Sequence, residues 1–156
     1  MDVKIEHRIG VRAPAEVIWD AISDIEAWKD WNPLYPRAKG VLRIGAQLDL
    51  DVAIPGQKVR AIRPVILDWV PNDQIHWRLS ILGGLIQSTR YIEIEALTET
   101  GCIFSNGELF RGRFAPLVLR RMAKDIRKGF AAMGEAVKTR AEAAYEGGGS
   151  LADASR

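Results

Sequence analysis

Arg90 and Glu108 are charged residues of opposite sign set among aromatic and aliphatic neighbours at strand spacing. Gly83-Gly84 reads as a two-residue hairpin loop, because glycine accepts the positive φ that such turns demand. That loop sets Trp77 opposite Arg90, Ile75 opposite Ile92 and Leu79 opposite Ser88. Ile75, Trp77, Leu79 and Ile81 are the apolar face of their strand, so Ser88, Arg90, Ile92 and Ile94 share it. A three-residue loop within Thr98 to Gly101 allows two registers for the next strand. Both place Phe104, Asn106, Glu108 and Phe110 on the same inner face; in one, Arg90 lies directly across from Glu108, in the other diagonally. An unpaired buried charge costs several kcal/mol, so either the two pair or a ligand completes them. The chemistry on offer is recognition: Arg90, Glu108 and Asn106 orient the polar end of a molecule held otherwise by apolar contact. Arginine beside Glu108 is expected to lower its pKa and keep it ionised, which argues against a proton donor.

The other reactive residues offer less. His76 falls on the outward face of its strand, and His7, set between Ile5 and Ile9, is read as facing away from them. Cys102 abuts a turn with no cation or histidine near it in sequence to lower its pKa. No Cys/His set with metal spacing, phosphate-binding glycine loop or nucleophile elbow is present. The expectation is therefore no metal, no cofactor and no assigned catalytic residue. A net charge of +2 gives no case for nucleic acid.

The elements that position these residues are legible in the pattern. Residues 3–12 alternate as a first strand. Pro14 suits a first helical position, and Val17, Ile18, Ala21, Ile22 and Ile25 recur at helical spacing. A second short helix ends at Trp31-Asn32-Pro33. Short strands follow at Tyr35 to Gly40 and Ala46 to Ile54, then a fourth from Gln57 to about Trp69 whose inward face depends on a bulge at Arg63-Pro64. From Pro116 the period becomes helical: Leu119, Met122, Ile126, Phe130, Met133, Val137, Ala141 and Tyr145 step by three or four. Gly147-Gly148-Gly149 is expected to end that helix, with a disordered tail beyond it. One domain over 1–146 accounts for the chain, with 147–156 as the tail. The single cysteine and an N-terminus without a secretory apolar stretch point to the cytoplasm.

The segment IGVRAPAEVIWDAISDIEAWKDWNP (Ile9 to Pro33) resembles the opening of the START-like, helix-grip (SRPBCC) superfamily. Gly107-Glu108-Leu109-Phe110-Arg111-Gly112 is similar to a segment ending the last strand in its polyketide cyclase/dehydrase and lipid transport branch. Relatives often hold histidine at a position matched here by Arg90. The resemblance implies an α+β fold: a curved antiparallel sheet wrapped around a long C-terminal helix, with two short helices after the first strand and a ligand cavity between sheet and helix. The expected lining is Trp77, Arg90, Ile92, Phe104, Asn106, Glu108 and Phe110 from the sheet, and Met122, Ile126 and Phe130 from the helix. Trp31 and Tyr35 are placed at the entrance, although Trp28 and Trp31 equally suit anchors for the short helices.

Three function classes follow. The leading one is binding of a small hydrophobic molecule (a lipid, a polyketide-like or another aromatic compound). The second is a cyclase, aromatase or dehydratase that gains rate from positioning. The third is an interaction module that uses the basic run 111–128, where Arg120, Arg121 and Lys124 offer weak contact to an anionic membrane or a phosphate.

Overall fold

The computed structural model describes residues 2–154, with side chains described up to residue 147. The element order begins with β1 (Asp2–Val11), α1 (Ala15–Ser23) and a 3₁₀ segment (Ile25–Asp30). Short strands β2 (Arg37–Lys39), β3 (Asp49–Val52) and β4 (Arg60–Ile62) follow. The chain continues through β5 (Val65–Val70), β6 (Gln74–Ile81), β7 (Ile86–Thr98) and β8 (Gly101–Arg111) into α2 (Ala115–Ala154). The fold is α+β: an antiparallel sheet in the order β1-β8-β7-β6-β5, a smaller sheet β2-β3-β4, and the long C-terminal helix. Among the described residues no helix is long and apolar enough to cross a membrane.

The two hairpins obey the alternation argument. Trp77 pairs with Arg90, Ile75 with Ile92 and Leu79 with Ser88. The β6–β7 ladder closes at Ile81 and Ile86, so the loop is Leu82 to Leu85, yet the register is the expected one. Arg90 pairs directly with Glu108, and the irregularity in β7–β8 falls between Ala96 and Thr98, beyond the inner-face residues. Alternation therefore survives along the part of the sheet that matters.

Several expectations change. Pro14 takes the cap position of α1 rather than its first turn, and its carbonyl accepts from the amides of Val17 and Ile18. The expected fourth strand divides at Arg63-Pro64: β4 pairs with β3, while β5 pairs with β6. Proline has no N–H to donate, so the ladder breaks there. The Pro64 carbonyl instead accepts from Leu48, which ties the two sheets together. The helix runs through the expected stop at Gly147-Gly148-Gly149 to Ala154, and Gly147 keeps a right-handed φ. Glycine ends a helix by turning left-handed, and without that turn it only weakens it. Of the expected tail, residues 155–156 lie outside the described residues.

His7 is also on the other face from the one expected. A period of two puts residues 5, 7 and 9 on one side of β1, toward α2. A Cβ added to Gly134 of α2 would lie 2.7 Å from His7 Nδ1, so the glycine makes room for the imidazole. His76 does face outward, where its Nε2 lies 3.0 Å from a Glu93 carboxylate oxygen.

Both glycines of the Gly107–Gly112 segment serve packing. Gly107 lies under the Tyr91 ring, and a Cβ there would fall 2.7 Å from the Ile5 carbonyl oxygen. Gly112 adopts φ +145° against the backbone of Leu85 and Ile86, a conformation that side-chain-bearing residues rarely adopt. Replacing Gly107 with alanine must push Tyr91 and β1 away. Gly107→Ala is expected to lower the unfolding free energy by about 1–3 kcal/mol in urea titration, with the m-value unchanged.

Candidate functional site

Arg90 is 1% exposed, yet no carboxylate lies within ion-pair distance of it among the described residues. Its five N–H groups find five acceptors instead. Nε donates to the Tyr35 hydroxyl at 3.0 Å. One terminal nitrogen donates to the carbonyls of Tyr91 (2.9 Å) and Gly107 (3.1 Å). The other donates to Asn106 Oδ1 at 2.9 Å and to Met133 Sδ at 3.5 Å. The guanidinium carbon also sits 4.3 Å from the Phe130 ring centroid, with the Trp77 and Tyr35 rings at 5.9 and 5.8 Å. Backbone dipoles and ring faces replace the counter-ion.

Asn106 and Tyr35 are held for this task. Asn106 is fully buried, and its Nδ2 donates to the Phe130 carbonyl at 3.1 Å, joining β8 to α2. Asn32 Oδ1 accepts from the amides of Leu34 and Tyr35, so the turn after the 3₁₀ segment is locked before the chain reaches Tyr35. Trp28 donates to the Ile22 carbonyl and packs its ring 5.3 Å from Tyr35 and 6.3 Å from Trp77. Trp28 is thus an anchor of the short helices, buried completely.

Of the two outcomes the sequence left open, the Arg90–Glu108 ion pair does not form, because every guanidinium donor is already spent. Glu108 turns into a cavity of about 840 Å³ between the sheets and the first half of α2. Of the residues expected to line it, Tyr35, Trp77, Glu108, Phe110, Met122, Ile126 and Phe130 do so. Arg90, Ile92, Phe104 and Asn106 lie outside that lining, in fully or almost fully buried core. Trp31 is elsewhere: it lines a shallow surface groove with Asp20 of α1, and the Arg140 guanidinium lies 5.5 Å over its ring. Trp31 therefore meets the second half of α2, from Glu135 to Ala144, instead of the cavity.

The opposite wall comes from residues that hairpin arithmetic left unassigned. Leu34, Val52, Ile54, Ile62 and Val65 line it, with Gln57, Arg60 and Arg63 at its edge. Val52 and Ile54 continue the alternation of Leu48 and Leu50, the one sequence signal that marks this wall.

The electrostatics of Glu108 are opposite to those expected from sequence. Burial pushes its carboxyl pKa up; the Arg90 charge and the Ser88 hydroxyl pull it down without overcoming burial. Tyr35 is likewise raised by burial, opposed by Arg90. A carboxyl that keeps its proton at higher pH can donate a hydrogen bond or a proton inside an apolar chamber. Cys102 is buried with its thiol toward the Ala13 carbonyl, and burial raises its pKa, so it stays an inert thiol.

The sequence profile described as polyketide cyclase/dehydrase and lipid transport matches residues 2–142. The chain belongs to that family. No curated protein sequence matches the chain. Among solved structures it is similar to the Zhui aromatase/cyclase of Streptomyces sp. R1128, at 18% identity and a TM-score of 0.74, covering 92% of this chain and 96% of that one. Norcoclaurine synthase of Thalictrum flavum matches at 17% identity and 0.69, covering 89% and 86%. A START superfamily protein of Mycobacterium smegmatis matches at 21% identity and 0.64, covering 92% and 97%. At these identities the likeness establishes the helix-grip fold that family members share.

Two outcomes follow from the site. Replacing Arg90 with methionine strands Tyr35, Asn106 and two carbonyls, and is expected to cost about 3–5 kcal/mol in urea titration. Glu108 contributes with the opposite sign. Its folded pKa lies above the unfolded value, so the native state binds the extra proton and stability falls as pH rises between the two. Glu108→Gln is therefore expected to gain stability over the parent as pH rises through that window, and to match it more closely below the ordinary glutamate pKa.

Proposed function

We propose that the protein binds a small hydrophobic molecule, polyketide-like, otherwise aromatic or lipid, in the cavity between the sheets and α2. The observation that carries this reading is a chamber of about 840 Å³ walled by apolar and aromatic side chains, with the Glu108 carboxyl, its pKa raised by burial, inside. A volume of this size suits a drug-sized ligand, and few polar groups are needed to orient it. Glu108 donates to a carbonyl or phenolic oxygen of the ligand, while Trp77, Phe110 and Phe130 supply the apolar contact. Arg90 acts beneath the chamber floor by fixing Tyr35. The ligand-binding unit is residues 1–146, and the inert, unpaired Cys102 suits a reducing cytoplasm.

A second reading, a cyclase or dehydratase, is favoured by the same Glu108. In its neutral form the carboxyl gives its proton to the carbonyl oxygen that an enol carbon of the same chain attacks, the C–C bond forming as the carbonyl π bond breaks and the enol O–H proton returning to the carboxylate; in dehydration it protonates the departing hydroxyl, and the α-proton released with the water returns to the carboxylate. Family membership and the aromatase/cyclase fold likeness support this reading equally.

The deciding measurement is uptake of an anilinonaphthalene sulfonate dye, combined with mass spectrometry of a solvent extract of natively purified protein. The expected result is saturable dye binding that Met122→Trp, which fills the chamber, abolishes without unfolding the protein. Unchanged binding in Met122→Trp would sink the cavity reading. Should a poly-β-carbonyl substrate be turned over, Glu108→Gln is expected to stop turnover while dye affinity persists if the enzyme reading holds.

A further inference from the structure

The end of the cavity lined by Leu82 and Val118, where exposed Leu82 marks its mouth, borders a second feature that its interior does not explain. Phe114 in the turn before α2, then Leu117, Arg121, Lys124 and Lys128 on the helix, recur at three- and four-residue spacing, the helical ones on the side away from Leu119, Ile126 and Phe130. All five are exposed, Phe114 by 47% and Leu117 by 71%. One face of the helix therefore closes the cavity while the other presents two large apolar side chains followed by cations.

The β6–β7 loop extends this surface. Gly112, two residues before Phe114, packs on the backbone of Leu85 and Ile86, so the loop tip sits beside the start of α2. Leu82 and Leu85 at that tip are 57% and 60% exposed. Leu82 holds φ +53°, a left-handed conformation that costs a leucine about 1–2 kcal/mol and suits glycine or asparagine. Neither burial nor backbone preference accounts for leucine there. In the segment before β4, whose Gln57 and Arg60 line the cavity, Val59 is 57% exposed beside Lys58 and Arg60.

The charge here has one sign. Arg113, Arg120, Arg121 and Lys124 are exposed, and residues 111–128 contain a single acid, Asp125. Among the described residues none of these four cations has a carboxylate within ion-pair distance. Apolar tips interleaved with unpaired cations match the interfacial layer of an anionic bilayer, where chains meet phosphates. A nucleic acid would match the cations but not the leucines and phenylalanine beside them.

We propose that this end of the molecule docks on an anionic lipid surface, with Phe114, Leu117, Leu82 and Leu85 entering the headgroup layer and Arg113, Arg120, Arg121 and Lys124 facing lipid phosphates. Docking in this pose turns the cavity mouth toward the bilayer, so an apolar ligand passes between membrane and chamber without crossing water. That consequence rests on the cavity reading; the docking itself does not.

Co-sedimentation with vesicles tests it. The expected result is binding to phosphatidylcholine vesicles containing about 30% phosphatidylglycerol, weakened by salt, and much weaker binding to pure phosphatidylcholine. Phe114→Ser with Leu117→Ser, and separately Arg120→Glu with Arg121→Glu and Lys124→Glu, should each weaken binding by about tenfold or more. Leu97→Ser, an equally exposed leucine at the opposite end of β7, should have no effect. Circular dichroism and cooperative thermal unfolding without vesicles establish that each variant is folded. Folded protein that stays in the supernatant with anionic vesicles overturns the proposal, as does binding that the mouth variants weaken no more than Leu97→Ser. Dye uptake without sedimentation sinks the docking face and leaves the cavity reading standing; sedimentation without dye uptake does the reverse.

Discussion

A guanidinium buried without a carboxylate partner among the described residues organises this molecule. Arginine stays charged inside a protein, so all five of its N–H groups must be satisfied or the fold pays heavily. Here the acceptors come from four places: Tyr35 after the short helices, the carbonyl of Tyr91 on β7, Gly107 and Asn106 on β8, and Met133 on α2. One side chain thus fastens the helical cap, two central strands and the gripped helix. A substitution at any acceptor leaves part of a buried charge unanswered.

The chamber owes its chemistry to the same constraint. Glu108 sits directly across from Arg90 in the ladder, and a pair between them would have made an inert ionic plug. Because the guanidinium is already saturated, the carboxyl remains unpaired, faces the cavity, and is pushed by burial toward its neutral form. Arg90 still moderates it through space. The result separates a structural charge below the floor from a chemical group above it. The aromatic layer of Tyr35, Trp77 and Phe130 lies between the two roles, packing on the arginine and lining the chamber.

α2 serves two functions with one periodic pattern. Its inner stripe of Leu119, Met122, Ile126 and Phe130 roofs the chamber, and Met133, Val137 and Ala141 continue it as closed core. Whether a residue on that stripe touches the open cavity or solid core depends on what the sheet sets opposite. Gly134 marks the change, leaving room for His7 of β1. Such a helix can expose cations and apolar tips on its other face at no cost to the core.

Much of this was legible in the residues alone. Two hairpins and their alternation determine which residues of β6, β7 and β8 share the inner face, because a shift by one residue would exchange the buried and solvent faces; which of two registers joins β7 to β8 was left to the structure. The inner-face position of Arg90, Asn106 and Glu108 and the helical stripe of α2 follow from local rules of that kind, and the motifs at Ile9–Pro33 and Gly107–Gly112 pointed to the family. The tertiary structure alone decided which inner-face residues see the cavity, since one face of a strand can abut either solid core or open space. It also decided that Arg90 and Glu108, neighbours in the ladder, do not pair. That outcome depends on acceptors brought from residues 35 and 133, far away in the chain, and no count along a strand could have located them.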